Sequence, residues 1–96
     1  MTPTVTYADA GAAGTYEVSG LVPDVVEDGG SCVVELTQGD VTVRREQAAT
    51  ADATSTTCGS IVVPAADLRP GSWSVVLRYA SPWSAGSSAA VDLEVR

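Results

Sequence analysis

Residues 68–79 constrain the fold more than any other stretch of this chain. Apolar and polar side chains alternate along residues 73–79, a period of two that a β-strand with one buried face requires. Pro70 and Gly71 precede the alternation and supply a turn, because proline presets φ and glycine leaves it free. The stretch therefore predicts a corner followed by a long central strand. Its buried face is expected to carry Trp73, Val75, Leu77 and Tyr79.

Six further segments show short apolar alternation, and no segment shows an amphipathic helical repeat. A single hairpin is unstable alone, whereas two facing sheets bury all of these apolar stripes at once. We therefore predict an all-β fold, a seven-stranded antiparallel β-sandwich, as a single domain over residues 1–96; a small closed barrel and a jelly roll are the alternatives. Residues 48–57 and 81–87 are predicted loops, and residues 38–40 a hairpin turn. The other predicted strands are residues 4–7, 15–22, 31–37, 41–46, 58–63 and 89–96.

The two cysteines, Cys32 and Cys58, begin the third and fifth predicted strands. If successive strands run up and down, both cysteines lie at the same end of the sandwich, where a disulfide is geometrically reasonable. Closing a loop of this length stabilises the fold by about 3.5 kcal/mol in the chain-entropy estimate. A disulfide implies an extracellular or cell-surface location, whereas two buried free thiols in a cytosolic protein are the alternative.

The corner motif carries a resemblance to a known class of module. Leu68, the Pro70-Gly71 turn and Trp73 resemble the corner before strand F in fibronectin type III and bacterial immunoglobulin-like modules, where a leucine, a Pro-Gly turn and an aromatic residue recur. The resemblance implies an immunoglobulin-like Greek-key sandwich with Trp73 in its core. The spacing is one residue shorter than the usual fibronectin pattern. Because the aromatic is tryptophan, its indole N–H would have to replace the tyrosine hydroxyl that normally bonds the backbone.

Residue types argue against several functions. The chain lacks histidine and lysine, so its many serines and threonines have no evident base to activate them, and we expect no enzymatic activity, no cofactor and no metal site. Asp92 and Glu94 form a formal carboxylate pair, but they are predicted to point outward with no cleft around them. The net charge of −7 opposes binding to nucleic acid. No stretch approaches the roughly 20 apolar residues of a membrane span, so we expect no membrane insertion.

Trp83 is the candidate binding residue, flanked by Pro82 and Ser84 in the loop after the central strand. An exposed indole there could stack on a sugar or anchor a protein partner. Alternatively, Trp83 folds back over the open end of the core.

Two charged clusters have alternative interpretations. Asp24, Glu27 and Asp28 form an acidic loop that is either solvated or able to bind Ca²⁺. The basic pair Arg44-Arg45 is expected to bind Glu46 or other nearby carboxylates, with a partner contact as the alternative.

The expected function is that of a non-catalytic extracellular module, acting as a spacer, adhesion unit or protein-interaction domain of a larger secreted or surface protein. Met1 stands directly before a strand without a visible signal peptide, so we expect an excised segment that is flanked by other domains in the full-length protein. The expected partner is a protein or a carbohydrate at the cell surface. The alternatives are a carbohydrate-binding module using Trp83 and a small-ligand carrier similar to enediyne apoproteins.

Overall fold

The computed structural model describes residues 2–11, 14–23 and 25–95. Within these ranges the fold is all-β, and its only helical segment is the 3-10 turn Ala65–Asp67. No helix in the described residues is long and apolar enough to cross a membrane. The strands are β1 (Thr4–Ala10), β2 (Thr15–Pro23), β3 (Ser31–Gln38), β4 (Val41–Ala48), β5 (Thr50–Ala51), β6 (Ser55–Pro64), β7 (Gly71–Ala80), β8 (Ala85–Ser87) and β9 (Val91–Val95).

The strands form two antiparallel sheets. The first has the order β1-β2-β6-β5, and the second has the order β4-β3-β7-β8, with β9 also paired to β7. The predicted central strand β7 lies between β3 on one side and β8 and β9 on the other. Alternating side chains of both sheets are buried in one shared core, as the period of two predicted. Its fully buried members include Val18, Val22, Val63, Val34, Leu36, Val75 and Leu77.

The described residues contain nine strands, two more than the predicted seven. The additions are short and lie inside predicted loops: β5 within residues 48–57 and β8 within residues 81–87. Strands β8 and β9 pair successively with the same edge of β7, so they occupy the position of one interrupted strand. The interruption is at Ser88, whose hydroxyl accepts a hydrogen bond from the Leu77 N–H at 2.9 Å, while the Ser88 N–H donates to the Leu77 carbonyl at 2.8 Å. A hydroxyl thus replaces a backbone carbonyl in the ladder.

Strand β6 begins three residues before the predicted start at Cys58 because Thr56 occupies an inward position. Its side chain is fully buried. The threonine hydroxyl donates to the Val25 carbonyl at 2.7 Å and accepts the Glu27 N–H at 3.1 Å, so its burial leaves no polar group unpaired. Hydrophobic patterning misses such a position because threonine counts as polar.

The predicted hairpin at residues 38–40 is confirmed. Strand β3 ends at Gln38 and β4 begins at Val41, which leaves Gly39 and Asp40 as the connection. Gly39 has a φ of 56°, in the left-handed region that glycine adopts without steric cost.

Candidate functional site

The disulfide between Cys32 and Cys58 joins the two sheets. Cys32 is the second residue of β3 and Cys58 the fourth of β6, so the prediction that Cys58 begins its strand is wrong. The two Cα atoms lie 5.7 Å apart, within the usual range for a disulfide. Both side chains are buried. The bridge therefore fixes the two sheets to each other near the end of the sandwich where β7 ends.

The predicted corner residues Leu68 and Trp73 are buried, with 6% and 1% of their surface exposed. The Trp73 indole N–H donates to the Arg69 carbonyl at 2.8 Å, so the indole makes the hydrogen bond to upstream backbone that was expected of it. Pro70 lies just before β7, and its carbonyl accepts the Gln38 side-chain amide at 3.2 Å. Gly71 has a φ of 125°, which a residue with a side chain rarely adopts.

Trp83 is 72% exposed, which makes it the most exposed large hydrophobic side chain among the described residues. It does not fold back over the core, so that alternative is wrong. It lies in the four-residue turn of residues 81–84, which connects β7 to β8 and is closed by the pair Ala80 and Ala85. Pro82 is exposed and Ser84 is half-buried.

Ser81 holds this turn in one shape. Its hydroxyl oxygen accepts the N–H groups of Trp83 at 3.1 Å and Ser84 at 2.9 Å, and its own N–H donates to the Ser84 carbonyl at 2.7 Å. The Ser81 hydroxyl in turn donates to Glu27 Oε1 at 2.6 Å. The exposed indole is therefore carried by a turn whose backbone is already ordered, which lowers the entropic cost of using it for binding.

Glu27 connects the Trp83 turn to the core. The same oxygen, Oε1, accepts the Tyr79 hydroxyl at 2.6 Å, and the Glu27 backbone is bound to buried Thr56. Burial, followed by the hydrogen bond to Glu27, raises the pKa of Tyr79, so this phenol remains a donor. Gly30 gives the hydroxyl its space, because a Cβ at this position would lie 2.3 Å from it.

The sequence did not identify Glu27 as a structural residue. It was a candidate Ca²⁺ ligand together with Asp24 and Asp28; Asp24 lies outside the described residues. Within those residues, no group of three or more His, Cys, Asp or Glu side chains is placed to hold a metal ion. Asp28 instead accepts the Ala51 N–H at 3.0 Å. The side chain of Val26, the residue before Glu27, is 55% exposed. It lies at the same end of the sandwich as Trp83, because Glu27 bonds Ser81 in the Trp83 turn.

Arg44 and Arg45 form ion pairs with two different carboxylates, and neither of these is Glu46. Arg44 Nε lies 2.9 Å from Glu35 Oε2, and Arg78 from β7 bonds the other oxygen of Glu35. Arg45 pairs with Asp67. Glu35 is thus a carboxylate shared by two guanidinium groups on the outer face of the second sheet. The hydrogen bond from Arg78, with the charges of both arginines, lowers the pKa of Glu35 below 4.5 despite partial burial.

Two shallow clefts open to solvent lie away from Trp83. One, of about 290 Å³, is lined by Val33, Glu35, Arg44 and Arg78. The other, of about 270 Å³, is lined by residues 2–5 together with Ser88, Ala89 and Val91. Both are smaller than the roughly 300–1,000 Å³ of typical small-molecule pockets. Asp92 and Glu94 are exposed on β9, and neither lines these clefts.

Comparison with known proteins gives no relative: no family model matches the chain, and no curated protein or solved structure matches it.

The two ion pairs of Glu35 predict that part of the unfolding free energy is lost in acid. A carboxyl whose folded-state pKa is lowered stabilises the fold above its unfolded value of 4.5, and this contribution is lost as the pH falls through the lowered pKa. We expect the difference in unfolding free energy between the wild type and Glu35→Gln to be largest at neutral pH and to shrink as the pH falls below 4.5. Urea denaturation at several pH values measures this. Glu46→Gln, which removes an exposed carboxylate from the neighbouring strand, is the control and is expected to show little pH dependence. A constant difference for Glu35→Gln would contradict the assignment.

Proposed function

We propose that this chain is a non-catalytic immunoglobulin-like module of an extracellular protein, and that it binds a protein partner through Trp83. The observation that carries the binding role is the 72% exposure of an indole on a turn ordered by Ser81 and Glu27. Tryptophan is one of the three residue types enriched among those that dominate binding energy. A turn that is ordered before binding also favours high affinity, because little conformational entropy is lost when the partner binds.

The strand order supports the immunoglobulin-like assignment. Immunoglobulin domains place strands A, B, E and D in one sheet and C, F and G in the other, and variable-type domains add C′ beside C. The order β1-β2-β6-β5 corresponds to A-B-E-D, and β4-β3-β7 followed by β8 and β9 corresponds to C′-C-F-G, with strand G interrupted. The bond from the Trp73 indole to upstream backbone is a second point of agreement. The buried disulfide supports an oxidising, extracellular location.

A carbohydrate-binding module is the second candidate, because an exposed indole also stacks on sugar rings. The ligand-carrier alternative gains no support from two shallow clefts of this size. Catalysis lacks support too, since neither cleft brings a nucleophile to a base.

The proposal is tested by comparing wild type, Trp83→Ala and Val62→Ala for binding to extracellular proteins of the source cells and to a panel of polysaccharides. Val62 is 48% exposed on β6, on the other sheet, so its replacement removes exposed apolar area elsewhere. We expect a protein partner whose Kd rises by about 30-fold or more for Trp83→Ala, the effect of a dominant contact residue, and stays unchanged for Val62→Ala. Binding that is independent of residue 83 would contradict the proposal, and residue-83-dependent binding of polysaccharide alone would favour the second candidate.

A further inference from the structure

The charge surrounding Trp83 indicates which chemistry its partner presents. The side chain of Ser81 links Glu27 to the Trp83 backbone, because its hydroxyl donates to Glu27 and accepts the Trp83 N–H. Glu27 Oε1 accepts two hydrogen bonds, whereas Oε2 accepts none from the described residues. No buried side-chain oxygen or nitrogen in the described residues lacks a partner, so Oε2 must reach solvent. Oε2 is therefore the oxygen of Glu27 that remains able to accept a hydrogen bond from a ligand.

No cation of the described residues forms an ion pair at this acidic end, and Arg69 lies before β7, at the opposite end of that strand from the Trp83 turn. Arg44 and Arg78 bind Glu35, and Arg45 binds Asp67. Neither Glu27 nor the exposed Asp28 forms an ion pair with any described residue. The chain as a whole carries a net charge of −7, so the local negative potential is reinforced by the rest of the molecule.

We propose that Trp83, with the carboxylates of Glu27 and Asp28, binds a cationic side chain, an arginine guanidinium or a lysine ammonium, in an exposed basic segment of the partner protein. This inference rests on the proposed function of the same turn. The face of an indole attracts a cation more strongly than any other aromatic side chain does, and a carboxylate near the same cation adds a charge-assisted contact. The negative net charge of the module increases the rate at which a basic segment associates.

The experiment uses the whole chain and defined probes: hexa-arginine, hexa-lysine and hexa-glutamate peptides and a neutral oligosaccharide. The indole N–H signals of Trp83 and Trp73 are followed by NMR, since the Trp73 N–H is buried and bonded to Arg69 and serves as an internal reference. We expect the two basic peptides to shift the Trp83 signal saturably, with weaker binding at high salt. The glutamate peptide and the oligosaccharide are expected to cause no shift.

Matched variants separate the indole from general charge attraction. Trp83→Leu keeps an apolar side chain without the aromatic face and is expected to weaken binding of the arginine peptide by about 2- to 5-fold, with a smaller loss for Trp83→Phe. Glu27→Gln and Asp28→Asn keep an acceptor oxygen and are expected to weaken it similarly. Asp40→Asn removes one charge at the opposite end of the sandwich, in the β3–β4 turn, and sets the size of the non-specific effect.

Two results would overturn the inference. If Trp83→Leu binds the basic peptides as the wild type does, or if Asp40→Asn weakens binding as much as Glu27→Gln, then the attraction is general and not located at Trp83. If only the oligosaccharide shifts the Trp83 signal, the cation inference fails while Trp83 remains a binding residue. The proposed function fails separately, through a partner whose affinity does not depend on residue 83.

Discussion

Replacing Trp73 with alanine is expected to lower the free energy of unfolding by about 3–5 kcal/mol, the usual cost of removing a large aromatic side chain from a core. Trp73 is 1% exposed, and its loss also leaves the Arg69 carbonyl without its donor. Small domains have total stabilities of about 5–15 kcal/mol, so this variant is expected to lie close to unfolding at room temperature. Urea denaturation followed by circular dichroism measures the effect.

The chain supplies its own control for this prediction. Trp83→Ala makes the same chemical change at a side chain that is 72% exposed, and we expect it to alter the unfolding free energy by no more than about 0.5 kcal/mol. Trp73→Phe separates the two contributions of the buried indole, since phenylalanine keeps most of the apolar volume and removes only the N–H donor. Equal destabilisation by the two alanine variants would show that Trp83 is packed in solution, and it would remove the basis of the binding proposal as well.

Removing the disulfide is expected to have an effect of similar size. The bridge closes a loop between residues 26 positions apart, for which the chain-entropy estimate gives about 3.5 kcal/mol. Cys32→Ala combined with Cys58→Ala avoids placing a hydroxyl at two buried positions, and we expect its unfolding free energy to fall by about 2–5 kcal/mol.

Reduction tests the same prediction without substitution. A reducing agent is expected to lower the urea midpoint of the wild type and to leave that of the double variant unchanged. A wild-type midpoint that does not respond to complete reduction would contradict a stabilising role for the bridge. It would also remove the main support for an extracellular location.

Local pattern predicted the parts of the fold that depend on neighbouring residues. Alternation located β7 and its buried face, and the Gly39-Asp40 connection followed from turn chemistry. The errors occurred where polar side chains replace apolar ones or backbone. Thr56 takes a core position with its hydroxyl satisfied, and Ser88 substitutes for a carbonyl beside β7. Neither substitution leaves a hydrophobic signal, so both strand boundaries were misplaced.

The candidate site was predicted less completely than the fold. Trp83 was identified because it stands in the predicted loop after the central strand, but its exposure could not be derived from that loop. Glu27 was placed in an acidic loop, and nothing in its neighbours indicates that it bonds Tyr79 and Ser81. These partners are 52 and 54 residues away along the chain.

The amino-acid sequence by itself determined seven of the nine strands, the buried face of the central strand, the corner at Trp73 and the cysteine pair, because each depends on periodicity, turn residues or strand direction. The tertiary structure alone decided that Trp83 faces solvent and that Glu27 connects its turn to the core. Those outcomes depend on strand register and on how two sheets meet, and such contacts form between residues that are distant in the chain.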